Sequence, residues 1–355
     1  MNLDKIPATI VTGFLGAGKT TLLRHLLSRA QGRRIAVIVN EFGELGIDGE
    51  LLKGCGIGCD ETGAENGQVI ELANGCLCCT VQEEFAPVME QLAQRRGQID
   101  HLVIETSGLA LPKPLVQAFQ WPTIRHAFTV DAVVTVVDAP AVAEGRFATD
   151  PLAVEAQRRA DPELDHDTPL AELFEDQLST ADLVVLNKAD LVDADALQRV
   201  RAAVAARAPA AVRTVVARQG QVPPDVLLGL GRAVEEVIEG RLTHHDHEGD
   251  DHDHDAFQSL ALALNVHDRE HLLQTLTTLV ARHGLLRIKG FVALPQAALR
   301  LVVQGVGPRL DSYFDRPWRP QEPRHSILVC IGQGLDEAAL RADLGQAGLL
   351  AASAA

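Results

Sequence analysis

The chain has 355 residues, 46% hydrophobic and 23% charged, a globular balance in a length that points to two domains. A formal net charge of −16 opposes nonspecific binding to nucleic acid or to an anionic membrane surface. No apolar run reaches the roughly 18 residues of a membrane-spanning helix. With Asp4 near the start and a glycine-rich loop opening at Gly13 there is no room for a cleaved leader, so a cytoplasmic location is expected.

Residues 6–12 (IPATIVT) read as a buried strand, followed by a glycine-rich turn and a helix at 20–30 (TTLLRHLLSRA). A second strand is expected at 35–40 (IAVIVN), a long loop rich in glycine and acids at 41–68, and a short strand at 69–72 (VIEL). Segment 81–94 (VQEEFAPVMEQLAQ) has a helical pattern that Pro87 would kink. Further strands are expected at 101–105 (HLVIE), 133–137 (VVTVV), 183–187 (LVVLN) and 213–216 (RTVV), with helical patterns between most of them. Strands that alternate with helices specify a parallel sheet covered on both faces. Residues 142–176 break this rhythm and read as a polar, helix-prone insertion or lid.

The tract 244–255 (HHDHEGDDHDHD) holds no apolar residue and reads as a solvated linker, or as a weak collector of divalent metal. Beyond it, strands at 257–265, 285–292, 299–304 and 326–331 accompany helical patterns at 268–283 and 335–346. The expected architecture is α/β: a three-layer fold with a mainly parallel sheet at 1–240, whose glycine-rich loop GFLGAGKT at 13–20 after the first strand marks a P-loop NTPase, then a His/Asp-rich linker at 241–256 and a small α+β domain at 257–355.

The pattern GxxxxGK[ST] occurs as Gly13, Gly18, Lys19 and Thr20, between a predicted strand and a predicted helix. Glycines let backbone N–H groups close around phosphate oxygens, and the helix N-terminus adds partial positive charge. Lys19 would reach the β- and γ-phosphates and Thr20 would ligate Mg²⁺. NKAD at 187–190 points to guanine, because the Asp190 carboxylate can accept from both N1–H and the exocyclic amine. Asn187 would brace the loop or contact the base, and the Lys188 stem can lie over the base plane. Glu105 ends the strand HLVIE; it would orient Mg²⁺ or its water, or position the attacking water. Gly108 follows where a γ-phosphate sensor would sit. Glu41, Glu44 and Asp48 fall where a first switch is expected, as switch acids or as solvated loop acids.

Three of the six cysteines, Cys76, Cys78 and Cys79, lie within four positions after the turn signal Asn74-Gly75. On an extended backbone Cys76 and Cys78 share one side, which suits one thiolate-bound metal, Zn²⁺, Co²⁺ or Cu⁺. A tetrahedral site needs further ligands: Cys79 after a turn, a switch-loop acid, a His, or a second chain. Redox and packing roles are the alternatives. Cys55 and Cys59 form a second pair, read as loop residues, and Cys330 reads as core. His25, His101, His126 and His325 stand alone and default to structural roles.

GFLGAGKTT, NEFGELGIDG, NGCLCCT, ETSGL and NKAD, in this order, resemble the CobW-type P-loop GTPases, a family of proposed metal chaperones. The stretch LLRIKGFV…YFDRPW…ILVCIG is similar to that family's second domain, so the resemblance spans almost the whole chain. LKGCGIGC at 52–59 and DAPAVAEGRF at 138–147 are similar to members associated with aerobic cobalamin biosynthesis. Relatives with the same motifs are linked to zinc supply or to activating metalloenzymes. The resemblance implies a GTPase in which Gly13, Gly16, Ala17, Gly18, Lys19, Thr20 and Thr21 hold phosphate and Mg²⁺. It implies that Lys19 and Glu105 are catalytic, and that Gly108, Asn187, Lys188 and Asp190 contact the nucleotide. It gives the delivered metal to Cys76, Cys78 and Cys79; Glu41 and Asp48, from their place in the first-switch stretch, are the further candidate acids at a metal.

The leading expectation is a GTP-hydrolysing chaperone that delivers Co²⁺ to a client, cobaltochelatase or another metalloenzyme, with a homodimer admitted. The same machine carrying Zn²⁺ is the second reading. A regulatory GTPase with structural cysteines is the third, and NKAD argues against a small-molecule kinase. Hydrolysis without a partner is expected to be slow, since no arginine finger is identifiable in the chain. The Ser-Ala base-contacting loop of many GTPases is not evident near 217–220, where ARQG stands.

Overall fold

The computed structural model describes residues 5–29, 32–40, 67–72, 85–160, 170–210, 212–228, 257–318 and 324–351. They fall into two compact units, one ending at Leu228 and one following it.

The first unit is built on a seven-stranded sheet. Its strands are β1 (Ile6–Thr12), β2 (Ile35–Asn40), β3 (Gly67–Leu72), β4 (His101–Glu105), β5 (Phe128–Asp138), β6 (Leu183–Asn187) and β7 (Arg213–Val216). They lie in the order β3-β2-β4-β1-β5-β6-β7. All six pairings are parallel. The central strands are apolar on both faces because helices cover both, as the continuous hydrophobic runs predict. One apolar layer joins Ile10, Ile38 and Ile104 to Met89, Leu92, Leu115 and Phe119. Another joins Val184 and Leu186 to Phe14, Val154, Phe174, Leu178, Val200 and Val204.

Two expectations change here. The helix expected at 81–94 is seen as Ala86–Gln94, and Pro87 sits in its first turn. A missing N–H costs nothing there, so Pro87 helps to start the helix rather than kinking it. The described parts of the segment 142–176, residues 142–160 and 170–176, carry helices that pack on the core rather than a polar insertion. The segment includes all of helix Pro151–Ala160 and most of helix Leu170–Ser179, and Val154, Leu173 and Phe174 are buried in the core. Its polar residues form the outer faces of amphipathic helices, which made the segment look like an insertion.

The second unit is a five-stranded antiparallel sheet of β8 (Phe257–Leu264), β9 (Leu285–Val292), β10 (Leu299–Val306), β11 (Arg309–Pro317) and β12 (Ser326–Gln333). Their order is β11-β10-β9-β12-β8. Helices Arg269–His283 and Glu337–Gln346 pack Leu272, Leu276, Leu279, Leu340 and Leu344 against Leu262, Ile288, Val303 and Leu328. Asp268 and Asp336 cap the two helices by accepting from their first-turn N–H groups. Strand β11 was not expected. Its sequence RLDSYFDRP has a weak apolar alternation, and its pairing with β10 through a turn at Gly307 defines it.

Leu276 is 1% exposed at the centre of this smaller core. Leu276→Ala is expected to destabilise the C-terminal unit by about 2–5 kcal/mol. Denaturant unfolding followed by circular dichroism measures this.

Candidate functional site

Every strand of the first sheet runs the same way, so the residues that follow their C-terminal ends gather along one edge. The loop 13–18 follows β1, Thr106 and Ser107 follow β4, and Asp138 and Asn187 close β5 and β6. Ladder register fixes neighbours: Val11 lies beside Glu105, Thr12 beside Thr135, and Asp138 beside Asn187.

The phosphate loop has the expected form. Helix Lys19–Ser28 starts from Gly18 at a φ of 98°, with no side-chain cap and no acid in its first turn. Its N–H groups and dipole therefore face an anion site. A Cβ on Gly18 would lie 2.3 Å from Asn187 Nδ2, so only glycine fits. Lys19 is buried, and its Nζ donates to the carbonyls of Gly13 at 2.8 Å and Phe14 at 3.2 Å. Ala17 N–H donates to Phe14 at 3.1 Å, which closes the loop over Gly16. Thr21, one residue into the helix from Thr20, is exposed.

The strand-end acid meets this loop. Thr20 Oγ1 donates to Glu105 Oε1 at 3.0 Å, and Glu105 is 5% exposed. A hydroxyl and a carboxylate side by side form an oxygen donor set, which suits hard Mg²⁺ rather than a thiophilic ion. Thr106 Oγ1 donates to Thr12 Oγ1 at 3.0 Å, and Thr106 N–H donates to Val11, so the segment after β4 is sewn to β1. Gly108 touches the phosphate loop directly: a Cβ there would lie 2.6 Å from Leu15 N. The carbonyls of Gly108 and Ala110 both accept from Gln177 Nε2, at 3.3 and 3.2 Å. Gln177 is wholly buried on helix Leu170–Ser179. It is a positioning residue that the sequence reading missed, and a polar residue on the inner face of an amphipathic helix was the available signal.

Asn187 is 2% exposed. Its Nδ2 donates to Ala17 O at 2.9 Å, and its Oδ1 accepts from Gly220 N–H at 2.9 Å. It therefore braces two loops. The ARQG segment takes its place here: Ala217 N–H donates to Leu186, and Ala189 N–H donates to Ala217. Lys188 has a φ of 58°, and its Nζ donates to Asp138 Oδ2 at 2.7 Å. Asp138, also missed, ends β5 and caps helix Ala139–Ala143 through Ala141 N–H. A strand-end Asp before Ala-Pro is the signal that marks it. Asp190 is exposed in a short 3₁₀ turn at the same edge.

Glu41, Glu44, Asp48, Cys55, Cys59, Cys76, Cys78, Cys79 and the tract 244–255 lie outside the described residues. Strand β3 ends at Leu72 on the nucleotide edge, and Cys76 follows in the sequence. Among the described residues no group of three or more His, Cys, Asp or Glu could hold a metal. Cys330 is buried in β12, and burial pushes its thiol up to about 12, so it keeps its proton and is no ligand near neutrality. His101 is buried against Thr9 Oγ1 at 2.8 Å, a structural role as expected. No helix among the described residues is long and apolar enough to cross a membrane.

Residues 7–215 match the family model described as CobW/HypB/UreG, nucleotide-binding domain, and 257–348 match the Cobalamin synthesis protein cobW C-terminal domain. A protein of Pseudomonas aeruginosa called Zinc chaperone CobW is 64% identical over 339 residues, 95% of this chain and 90% of its own. Its namesake from Sinorhizobium sp is 51% identical over 347 residues, covering 96% and 97%. Zinc chaperone YjiA of Escherichia coli is 31% identical over 349 residues, covering 96% and 98%. The crystal structure of Zn(II)-bound YjiA GTPase from E. coli aligns with 97% of this chain and 99% of its own, at 26% identity and a TM-score of 0.43.

Asn187→Ala would orphan two buried groups, Ala17 O and Gly220 N–H. Each costs about 1–3 kcal/mol, so a total loss of roughly 2–6 kcal/mol is expected, together with weaker nucleotide binding. Thermal unfolding with and without GDP checks both effects.

Proposed function

The chain belongs to the CobW family of P-loop GTPases, and from that premise we propose that it is a metallochaperone that carries zinc under the control of GTP. It is a GTPase, converting GTP to GDP and phosphate. The observation that carries the reading is the 3.0 Å hydrogen bond from Thr20 to Glu105. It joins the phosphate loop to the strand end that opens the second switch, and Cys76, Cys78 and Cys79 lie between the two in the sequence.

In this reading the backbone N–H groups of 13–20 receive the phosphates, and Lys19, at the loop's own carbonyls, neutralises charge on the β- and γ-oxygens. Thr20 and Glu105 would hold Mg²⁺, which supplies charge neutralisation on the phosphates when bound. Glu105 Oε1 accepts from Thr20, which sets its carboxylate beside the hydroxyl that would meet the cation. Gly108, packed on Leu15 N, senses the γ-phosphate. Asp190 accepts from the guanine edge and the Lys188 stem lies on the base face. Glu41 and Asp48 are the first-switch acids. Occupancy of the γ-position sets the spacing of the three thiolates, so metal affinity and nucleotide state are linked.

Zinc is preferred over cobalt as cargo because two relatives that align with 95% and 96% of this chain are named zinc chaperones. Both ions accept tetrahedral thiolate sites, so the ligands do not separate them. Cobalt is the second reading, favoured by the cobalamin-synthesis description of the C-terminal domain; its client would be a cobaltochelatase, whereas zinc would pass to a zinc-dependent enzyme. The domains are proposed to be 1–240 and 257–355 with a linker at 241–256.

A competition titration of Zn²⁺ and Co²⁺ with Mg²⁺ and a nonhydrolysable GTP analogue tests this, repeated with GDP and with Cys76→Ser/Cys78→Ser. The expected outcome is tight Zn²⁺ binding that is lost by about tenfold or more with GDP and also in the variant. Binding indifferent to both changes would remove the chaperone reading. Tighter retention of Co²⁺ than Zn²⁺ would move the cargo to cobalt.

A further inference from the structure

We infer that Asp138 and Thr149, which lie outside every guanine motif, are positioning residues for base recognition and act through Lys188. The inference rests on the assignment of Lys188 and Asp190 to guanine. Lys188 stands at a φ of 58°, a left-handed conformation that a side chain adopts only where its surroundings hold it. What holds it is visible. Its Nζ donates to Asp138 Oδ2 at 2.7 Å and to Thr149 Oγ1 at 3.3 Å.

Asp138 is the anchor. Its side chain has no exposure, and a buried carboxylate persists only with a cation and hydrogen-bond donors around it. It has all of these: the Lys188 ammonium, the Thr149 hydroxyl, and the N–H of Ala141 on its other oxygen at 3.2 Å. Strand pairing sets the distance, because Asp138 and Asn187 are register partners on β5 and β6. The ammonium of Lys188 is thereby fixed toward β5, while its side chain remains 26% exposed. What the site then presents is an alkyl stem of defined direction, with the exposed Asp190 carboxylate two residues on. A stem held this way loses little rotamer freedom when a base covers it. The segment from the end of helix Ala139–Ala143 to Thr149 thus becomes part of the base site.

The test uses the full chain and two ligands, GDP and inorganic pyrophosphate, which lacks the base. Lys188→Ala and Asp138→Asn are each expected to weaken GDP about tenfold or more with pyrophosphate affinity unchanged, and the double variant is expected to be no weaker than Lys188→Ala alone. Thr149→Val gives a smaller loss in the same direction, reversed by Thr149→Ser, and serves if Asp138→Asn does not fold. Additive losses in the double variant would overturn the inference, as would a matching loss of pyrophosphate binding, which would reduce Asp138 to a structural cap. If Lys188→Ala leaves GDP affinity intact, the guanine assignment itself fails, a result distinct from either of those.

Discussion

Seven strands that all point one way leave their C-terminal ends, and the unpaired backbone groups there, along a single edge. The nucleotide site follows from that constraint. Loop 13–18, Glu105, Asp138, Asn187 and Ala217 come from five different strands, and only parallel pairing brings them together. Helix N-termini face the same edge, so an anion is stabilised there by backbone alone before any side chain contributes. Antiparallel pairing of any one of these strands would carry its residue to the far edge.

Parallel pairing places the residues, and buried hydrogen bonds then hold them. Asn187 ties the phosphate loop to Gly220, Thr106 ties the segment after β4 to Thr12, and Gln177 ties Gly108 and Ala110 to a core helix. A polar group buried without a partner costs more than a good hydrogen bond contributes, about twice as much, so these contacts set a preferred arrangement rather than adding much stability. Beneath them Phe14, Phe147 and Phe174 pack with ring centroids 5.0–6.0 Å apart, which backs the loop with apolar mass. Gly108, packed on Leu15 of the phosphate loop, is joined by Gln177 to a core helix.

Much of this could be read from the residues. The glycines of 13–18, the strand-end Glu105 and the NKAD run carry their own chemistry, and the structure brings them to one edge. The strands of the first sheet were legible because a sheet buried on both faces writes continuous apolar runs. What escaped notice depended on tertiary context. Pro87 looks like a kink until its place in the first turn is known. Residues 142–176 look like an insertion because their polar faces dominate the composition, although Leu173 and Phe174 are core. Asp138 and Thr149 lie 50 and 39 residues from Lys188, a separation that no local motif spans. Asn187 admitted two roles, and its hydrogen bonds to Ala17 and Gly220, 170 and 33 residues away, display the bracing one.

The central claim is that nucleotide state and metal occupancy are coupled through one protein. Coupling is reciprocal, so whatever factor GTP adds to metal affinity, metal must add to GTP affinity. The most direct measurement is calorimetric titration of a nonhydrolysable GTP analogue and of GDP, each with and without stoichiometric Zn²⁺. The account predicts that Zn²⁺ tightens the GTP analogue by about tenfold or more and leaves GDP nearly unchanged. Equal affinities with and without Zn²⁺ for both nucleotides would contradict it.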